Sequence, residues 1–139
     1  MSEGFDPESF FKLARRVGHG RALGLAYRSH GEDWVELALP WREELVAIPE
    51  EGIVATGAIV SLLDTCSGTA VWRRLGGFSP IVTLDLRIDY LRPALRGEDV
   101  IARCECYKLT RHIGFVRGVA HGDDPARPIA YSTATFKLG

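Results

Sequence analysis

The sequence predicts an α+β fold: a curved antiparallel β-sheet of five to six strands wrapped round one long central helix, with a short helix on the N-terminal side. Three observations predict it. Residues 57–72 hold no proline, and their apolar members, Ile59, Leu62, Leu63, Cys66 and Ala70, recur at helical spacing. This stretch is apolar over much of its circumference, as a helix enclosed by a sheet must be. After a break at Gly76-Gly77, residues 81–91 alternate apolar and polar, and three further strand-like runs follow. The 139 residues suffice for one domain with a real core and contain no internal repeat or linker.

The elements follow in order. Asp6-Pro7-Glu8-Ser9 reads as a helix start, with proline at the first helical position and an acid in the first turn. That helix is expected to reach about Val17, where Gly18 and Gly20 end it. The run GHGRALG (residues 18–24) has the wrong glycine spacing for a dinucleotide loop and follows a helix rather than a strand. Residues 23–28 and 34–39 are strands joined through a Ser29-His30-Gly31-Glu32 turn. Residues 41–52 read as a loop. For the central helix, Thr56 is the expected N-cap, and Arg73 and Arg74 suit its C-terminus. In the strand at 81–91, Val82, Leu84, Leu86, Ile88 and Tyr90 are expected on one face, with Thr83, Asp85, Arg87 and Asp89 on the other. A turn at 92–98 leads to strands at 100–109, 113–121 and 129–138, which with 81–91 read as a four-strand meander.

Composition excludes several functions. With 46% hydrophobic and 25% charged residues and a formal net charge of −1, nothing favours nucleic acid or an anionic membrane as partner. The acidic, polar N-terminus does not resemble a signal peptide, and no apolar run approaches the roughly 20 residues of a membrane span. Three cysteines, two of them on one face of a strand, read as free core thiols in a reducing cytoplasm. There is no CxxC pair and the four histidines are scattered, so no metal site is expected.

Asp64 is the residue that stands out. It sits in mid-helix between Leu63 and Thr65, with Gly57, Ser61 and Gly68 seven, three and four places away. Another chain or a ligand can approach closely on such a face. A mid-helix carboxylate is ordinarily just solvated; the flanking leucines favour a functional reading.

GAIVSLLDTCSGTAV followed by TLDLRIDYLRPALRGEDV resembles the hotdog-fold acyl-CoA thioesterases of the PaaI-like, phenylacetate-degradation branch, over about residues 22–136. The resemblance implies hydrolysis of an acyl-CoA thioester without a cofactor, in a homodimer that assembles into a homotetramer. It implies that Asp64 is the general base or nucleophile and that Thr83 orients the attacking water. The helix start at Thr56 and Gly57 would present backbone N–H groups to the thioester carbonyl. Arg92, Arg111 and His112, with Arg96, lie in loops near the Pro93 turn and are the candidates for meeting the CoA phosphates. Two positions depart from the family pattern: Ala55-Thr56-Gly57 stands where His-Gly-Gly is usual, and Pro49 where an Asn is common. The alternatives are an acyl-CoA or small-acid binding protein without catalysis and, third, a hotdog dehydratase, which would need a site histidine that this helix lacks.

One physical argument for a dimer is independent of the family. Eight residues separate Thr56 from Asp64, about 12 Å along a helix at 1.5 Å per residue. A single carbonyl cannot meet both on one helix; if both take part, a two-fold partner must supply one of them.

Overall fold

A computed structural model describes residues 4–14 and 16–139. Residues 1–3 of the polar N-terminus, and Arg15 in the stretch expected as helix, lie outside the described residues. The elements are α1 (Pro7–Ala14), α2 (His19–Leu23), β1 (Ala26–His30), β2 (Trp34–Leu39), β3 (Val46–Ile48), β4 (Ile53–Val54), α3 (Thr56–Leu75), β5 (Ile81–Tyr90), β6 (Val100–Leu109), β7 (Ile113–His121) and β8 (Pro128–Leu138).

Six strands form one sheet in the order β1-β2-β6-β7-β8-β5, every pairing antiparallel. Its inner face packs on α3, whose Ile59, Leu62, Leu63, Cys66 and Ala70 are all buried, as the helical spacing predicts. Val35, Leu37, Ala102, Cys104, Val116 and Phe136 meet them from the strands. Aliphatic burial of this kind is worth about 25 cal/mol per Å² removed from water, and it holds the helix in the curve of the sheet.

Several expectations need correction. β5 does not lie beside β6 in a meander; it pairs with β8 at the far edge, and β6 pairs with β2. Residues 91–99 are therefore a crossover rather than a hairpin turn, tied down by the Arg92–Glu98 ion pair at 2.8 Å. Residues 19–23, part of which was expected as strand, form one short helix. Gly24 ends it in the left-handed region at φ 75°, so β1 begins only at Ala26. The loop at 41–52 holds a 3₁₀ turn at Glu43–Leu45 and, with residues 53–54, the small β3–β4 pair.

The strict alternation of β5 is also broken. Thr83 pairs with Phe136 and Asp85 with Thr135, so Leu84 is an extra residue, a β-bulge. Before it, Ile81 and Thr83 face α3, while Val82 and Leu84 are 61% and 55% exposed. After it, Leu86 and Ile88 pack on the core. The five apolar residues of the strand do not share one face.

Helix α3 ends where the sequence predicts. Gly76 adopts φ 77°, and its N–H donates to the Trp72 and Arg73 carbonyls. Its start differs: Thr56 is the first helical residue, and the cap is Ala55, which has no side chain to close the first turn.

Candidate active site

Asp64 lies midway along α3 and is half-buried. Thr83, brought across from β5 by the residues before the bulge, donates its hydroxyl to Asp64 Oδ1 at 2.8 Å. No cation is paired with Asp64 among the described residues. The carboxylate is thus held by a neutral donor.

Both residues open on a pocket of about 420 Å³, within the range of small-molecule sites. Its walls are mostly apolar: Phe10 and Phe11 from α1, Leu25, Trp72 from α3, Ile81 and Phe136. Helix α1 closes one side because its aromatic residues dock on the end of α3. Phe10 meets Trp72 edge-on at 5.3 Å between ring centroids, and Phe5 meets Trp72 at 5.7 Å. Arg73 donates to the Phe5 carbonyl at 2.8 Å and fixes the segment before α1.

At the start of α2, His19 Nε2 lies 2.9 Å from Ser61 Oγ. His19 lines the same pocket, and Ser61 lies one helical turn before Asp64. Sequence reasoning missed His19 and the pocket role of α1. The GHGRALG run that contains His19 carries no motif pointing to this site, and α1 is distant from α3 in sequence.

The start of α3 is open. The N–H groups of Thr56 and Gly57 have no acceptor among the described residues, Gly57 is exposed, and space for a side chain is free around its Cα. Donors of an uncapped helix start sit at the positive end of the helix dipole. Tyr90, at the end of β5, donates its hydroxyl to the Thr56 carbonyl at 3.4 Å, and burial pushes its phenol above the ordinary range. Asp64–Thr83 and the helix start are separate in one chain, as the helical rise requires.

The residues expected to meet CoA do not gather in one chain either. Tyr90 pairs with Ala130 at one end of the sheet, and Arg92 and Pro93 follow directly. Arg111 and His112 occupy the turn before Ile113, which pairs with Lys137 at the opposite end, where Ile81 pairs with Leu138. Arg111 and His112 are exposed. Arg92 is engaged within the chain, donating to both Glu98 carboxylate oxygens and to the Pro93 and Arg127 carbonyls. Those bonds hold Arg92 firmly protonated and keep Glu98 below the usual carboxylate range. Arg96 donates to the Pro49 carbonyl at 2.7 Å.

Among the described residues no group of three or more His, Cys, Asp or Glu is placed to hold a metal ion, and no helix is long and apolar enough to cross a membrane.

The sequence profile described as the thioesterase superfamily matches residues 51–129, more than half of the chain. The medium/long-chain acyl-CoA thioesterase YigI of Salmonella typhimurium is 30% identical over 132 residues, covering 86% of this chain and 84% of that protein. A solved structure of a Pseudomonas aeruginosa protein is 38% identical, with a TM-score of 0.81 and 94% of each chain covered. The PaaI protein of the Escherichia coli phenylacetic acid degradation operon, 16% identical, shares the fold with a TM-score of 0.80 over 94% of this chain and 90% of its own. Sequence and architecture thus agree on the sheet curved round one helix: the chain belongs to the thioesterase superfamily and has its hotdog fold.

Proposed function

We propose that the protein hydrolyses acyl-CoA thioesters to the free acid and CoA, with Asp64 as general base or nucleophile. The observation that carries this is the 2.8 Å bond from Thr83 to Asp64 Oδ1 at the head of a mostly apolar pocket. It leaves Oδ2 to take a proton from water. Water oxygen then attacks the thioester carbon, the carbonyl oxygen gains charge, and the C–S bond breaks as the carbonyl re-forms. CoA thiolate leaves and takes up the proton, so acyl-CoA and water become acid and thiol. In the nucleophilic variant Asp64 itself attacks, and water opens the anhydride. Thr83, whose proton is directed to Asp64, orients the carboxylate and can accept a hydrogen bond from the water.

The oxyanion needs donors that Asp64's own surroundings lack. The free N–H groups of Thr56 and Gly57 suit that task. Two copies joined edge to edge through β5 would bring them together. β5 is an edge strand with a free side, carrying exposed Val82 and Leu84. Antiparallel pairing of two such strands about a two-fold axis sets the Tyr90 end of one beside the Ile81 end of the other. The first end holds the helix start and the second holds Asp64 and Thr83, so each dimer would contain two complete sites. The same pairing draws Arg111 and His112 of one copy towards the Arg92–Pro93 turn of the other. There the exposed Arg111 and His112 are free to meet CoA phosphates, with Arg92 and Pro93 shaping the turn. The missing His and Asn of the family pattern remove side-chain donors but not the backbone ones. A homodimer working in the cytoplasm, itself paired into a tetramer, completes the reading.

A thiol-release assay over a panel of acyl-CoAs, with Asp64→Asn as control, tests this. Release by the parent and not by the variant supports it. An acyl-CoA that binds and is never cleaved would establish the alternative, a binding protein of the same fold.

A further inference from the structure

We propose that Gly68 sets the length of acyl chain the site accepts, as the floor of a groove that runs from Asp64 to the Phe10–Trp72 pair. The proposal rests on Asp64 being where the thioester reacts. Its own ground is the shape of the pocket.

Ser61, Asp64, Gly68 and Trp72 succeed one another at spacings of three and four on α3, so they lie along one face of the helix. Asp64, Gly68 and Trp72 all line the pocket. The face is polar at its Ser61–Asp64 end, where His19 meets Ser61, and apolar beyond. A thioester with its carbonyl at Asp64 has one direction in which to lay an apolar chain: over Gly68 towards Trp72. The far end is closed by the Phe10–Trp72 contact, 5.3 Å between centroids. α1 forms the opposite wall through Phe11, which is almost wholly buried.

The helix provides a scale. Trp72 is eight residues past Asp64, about 12 Å along the axis. An extended alkyl chain with bonds near 1.5 Å advances about 1.25 Å per carbon, so roughly ten carbons fill the groove and about five reach Gly68. At Gly68 a Cβ would stand 3.5 Å from Ile81 Cδ1 and from Phe136 Cε1, ordinary contact that displaces nothing. A side chain longer than methyl would extend into the groove. Glycine is a poor helix former, so a larger residue here favours the helix while it fills the pocket.

The test compares the parent with Gly68→Ala and Gly68→Leu on straight-chain acyl-CoAs of two to sixteen carbons, after circular dichroism shows that each variant is folded. For the parent, kcat/KM should rise with chain length to about ten carbons and rise no further. Gly68→Leu should lose 10-fold or more on octanoyl- and decanoyl-CoA, yet stay within about threefold of the parent on acetyl- and butyryl-CoA. Gly68→Ala should show the same trend more weakly, and it carries the test if the leucine variant does not fold. Equal loss at every chain length, or undiminished activity on decanoyl-CoA, overturns the proposal and leaves the thioesterase reading standing. If the parent cleaves no acyl-CoA, that reading fails instead, and calorimetric binding of decanoate then decides on Gly68. Binding by the parent that Gly68→Leu abolishes supports the groove; no binding by the parent, or equal binding by both, overturns it.

Discussion

Thr83 and Asp64 face each other across the cleft between β5 and α3, joined by a 2.8 Å hydrogen bond in which the hydroxyl is donor. The bond constrains the carboxylate's rotation without neutralising it, since threonine brings no charge. A lysine or arginine at position 83 would have fixed Asp64 more tightly and made it a weaker base. A neutral donor is compatible with the proposed role of Asp64 in accepting a proton.

Asp64→Asn should therefore fold as the parent does and lose most of its activity. The amide is isosteric, but it neither accepts the proton nor attacks. In acyl-CoA hydrolysis kcat should fall by about 10²- to 10⁴-fold, with much less change in KM. Parental turnover in this variant would remove Asp64 from the chemistry.

Thr83→Val preserves shape and deletes the donor. The expected loss in kcat is roughly 10- to 100-fold, about one hydrogen bond at 1.4 kcal/mol per decade. Steady-state kinetics beside a thermal melt separates this from simple destabilisation. If kcat is unchanged, the contact does not serve catalysis.

The shared site is tested with two defective proteins. Asp64→Asn removes the base, and Gly57→Pro removes one N–H at the helix start. In a mixed dimer one site collects both lesions and the other none. Co-refolding equal amounts should restore about a quarter of parental activity, because half the dimers are mixed and half their sites are intact. Both variants must first be shown by circular dichroism to fold. No recovery from folded, exchanging chains would mean that the site is not shared.

The Arg92–Glu98 pair makes a prediction about stability and pH. Hydrogen bonds from Arg92 are the main cause that lowers the Glu98 carboxyl below its ordinary 4.5. Its contribution is fully present above about pH 4.5 and fades as pH falls through the lower folded value. Arg92→Ala should cost about 2 kcal/mol at neutral pH, the worth of a mostly buried charged hydrogen-bond pair. The gap in melting temperature between parent and variant should shrink below about pH 4.5. A gap that is constant from pH 7 to pH 3 would show that Glu98 is not the partner that matters.

The thiols provide a simpler test. Cys66, Cys104 and Cys106 are fully buried, and burial pushes the Cys66 thiol well above its ordinary range. A disulfide reagent should find no rapidly reacting thiol in the native protein and three after denaturation. Fast reaction of the native protein would contradict this packing.

The helical period disclosed α3 because five buried apolar residues obey it, and Asp64 was legible as the interruption in that pattern. Thr83 was legible only through its resemblance to a family pattern, since alternation alone puts it with Asp85 on the polar face. The bulge that turns it inward has no period. The place of β5 beside β8 was likewise hidden, because strand order depends on contacts between distant segments and not on local pattern. His19 was passed over for a similar reason: its neighbours in sequence offer no motif, and its partner Ser61 lies on another element.

The bulge that absorbs Leu84 lets one strand answer to two masters. Without it, a strict two-residue period would force a choice. With Thr83 turned to Asp64, Leu86 and Ile88 would point to solvent; with those two in the core, Thr83 would leave the cleft. The insertion frees the two ends of β5 to vary independently. Substitutions near residue 83 need not disturb the packing beyond residue 85, and repacking there need not move Thr83 away from Asp64. Deleting Leu84 would leave Thr83 and Leu86 two positions apart on one face of a regular strand, so that neither end could shift without the other.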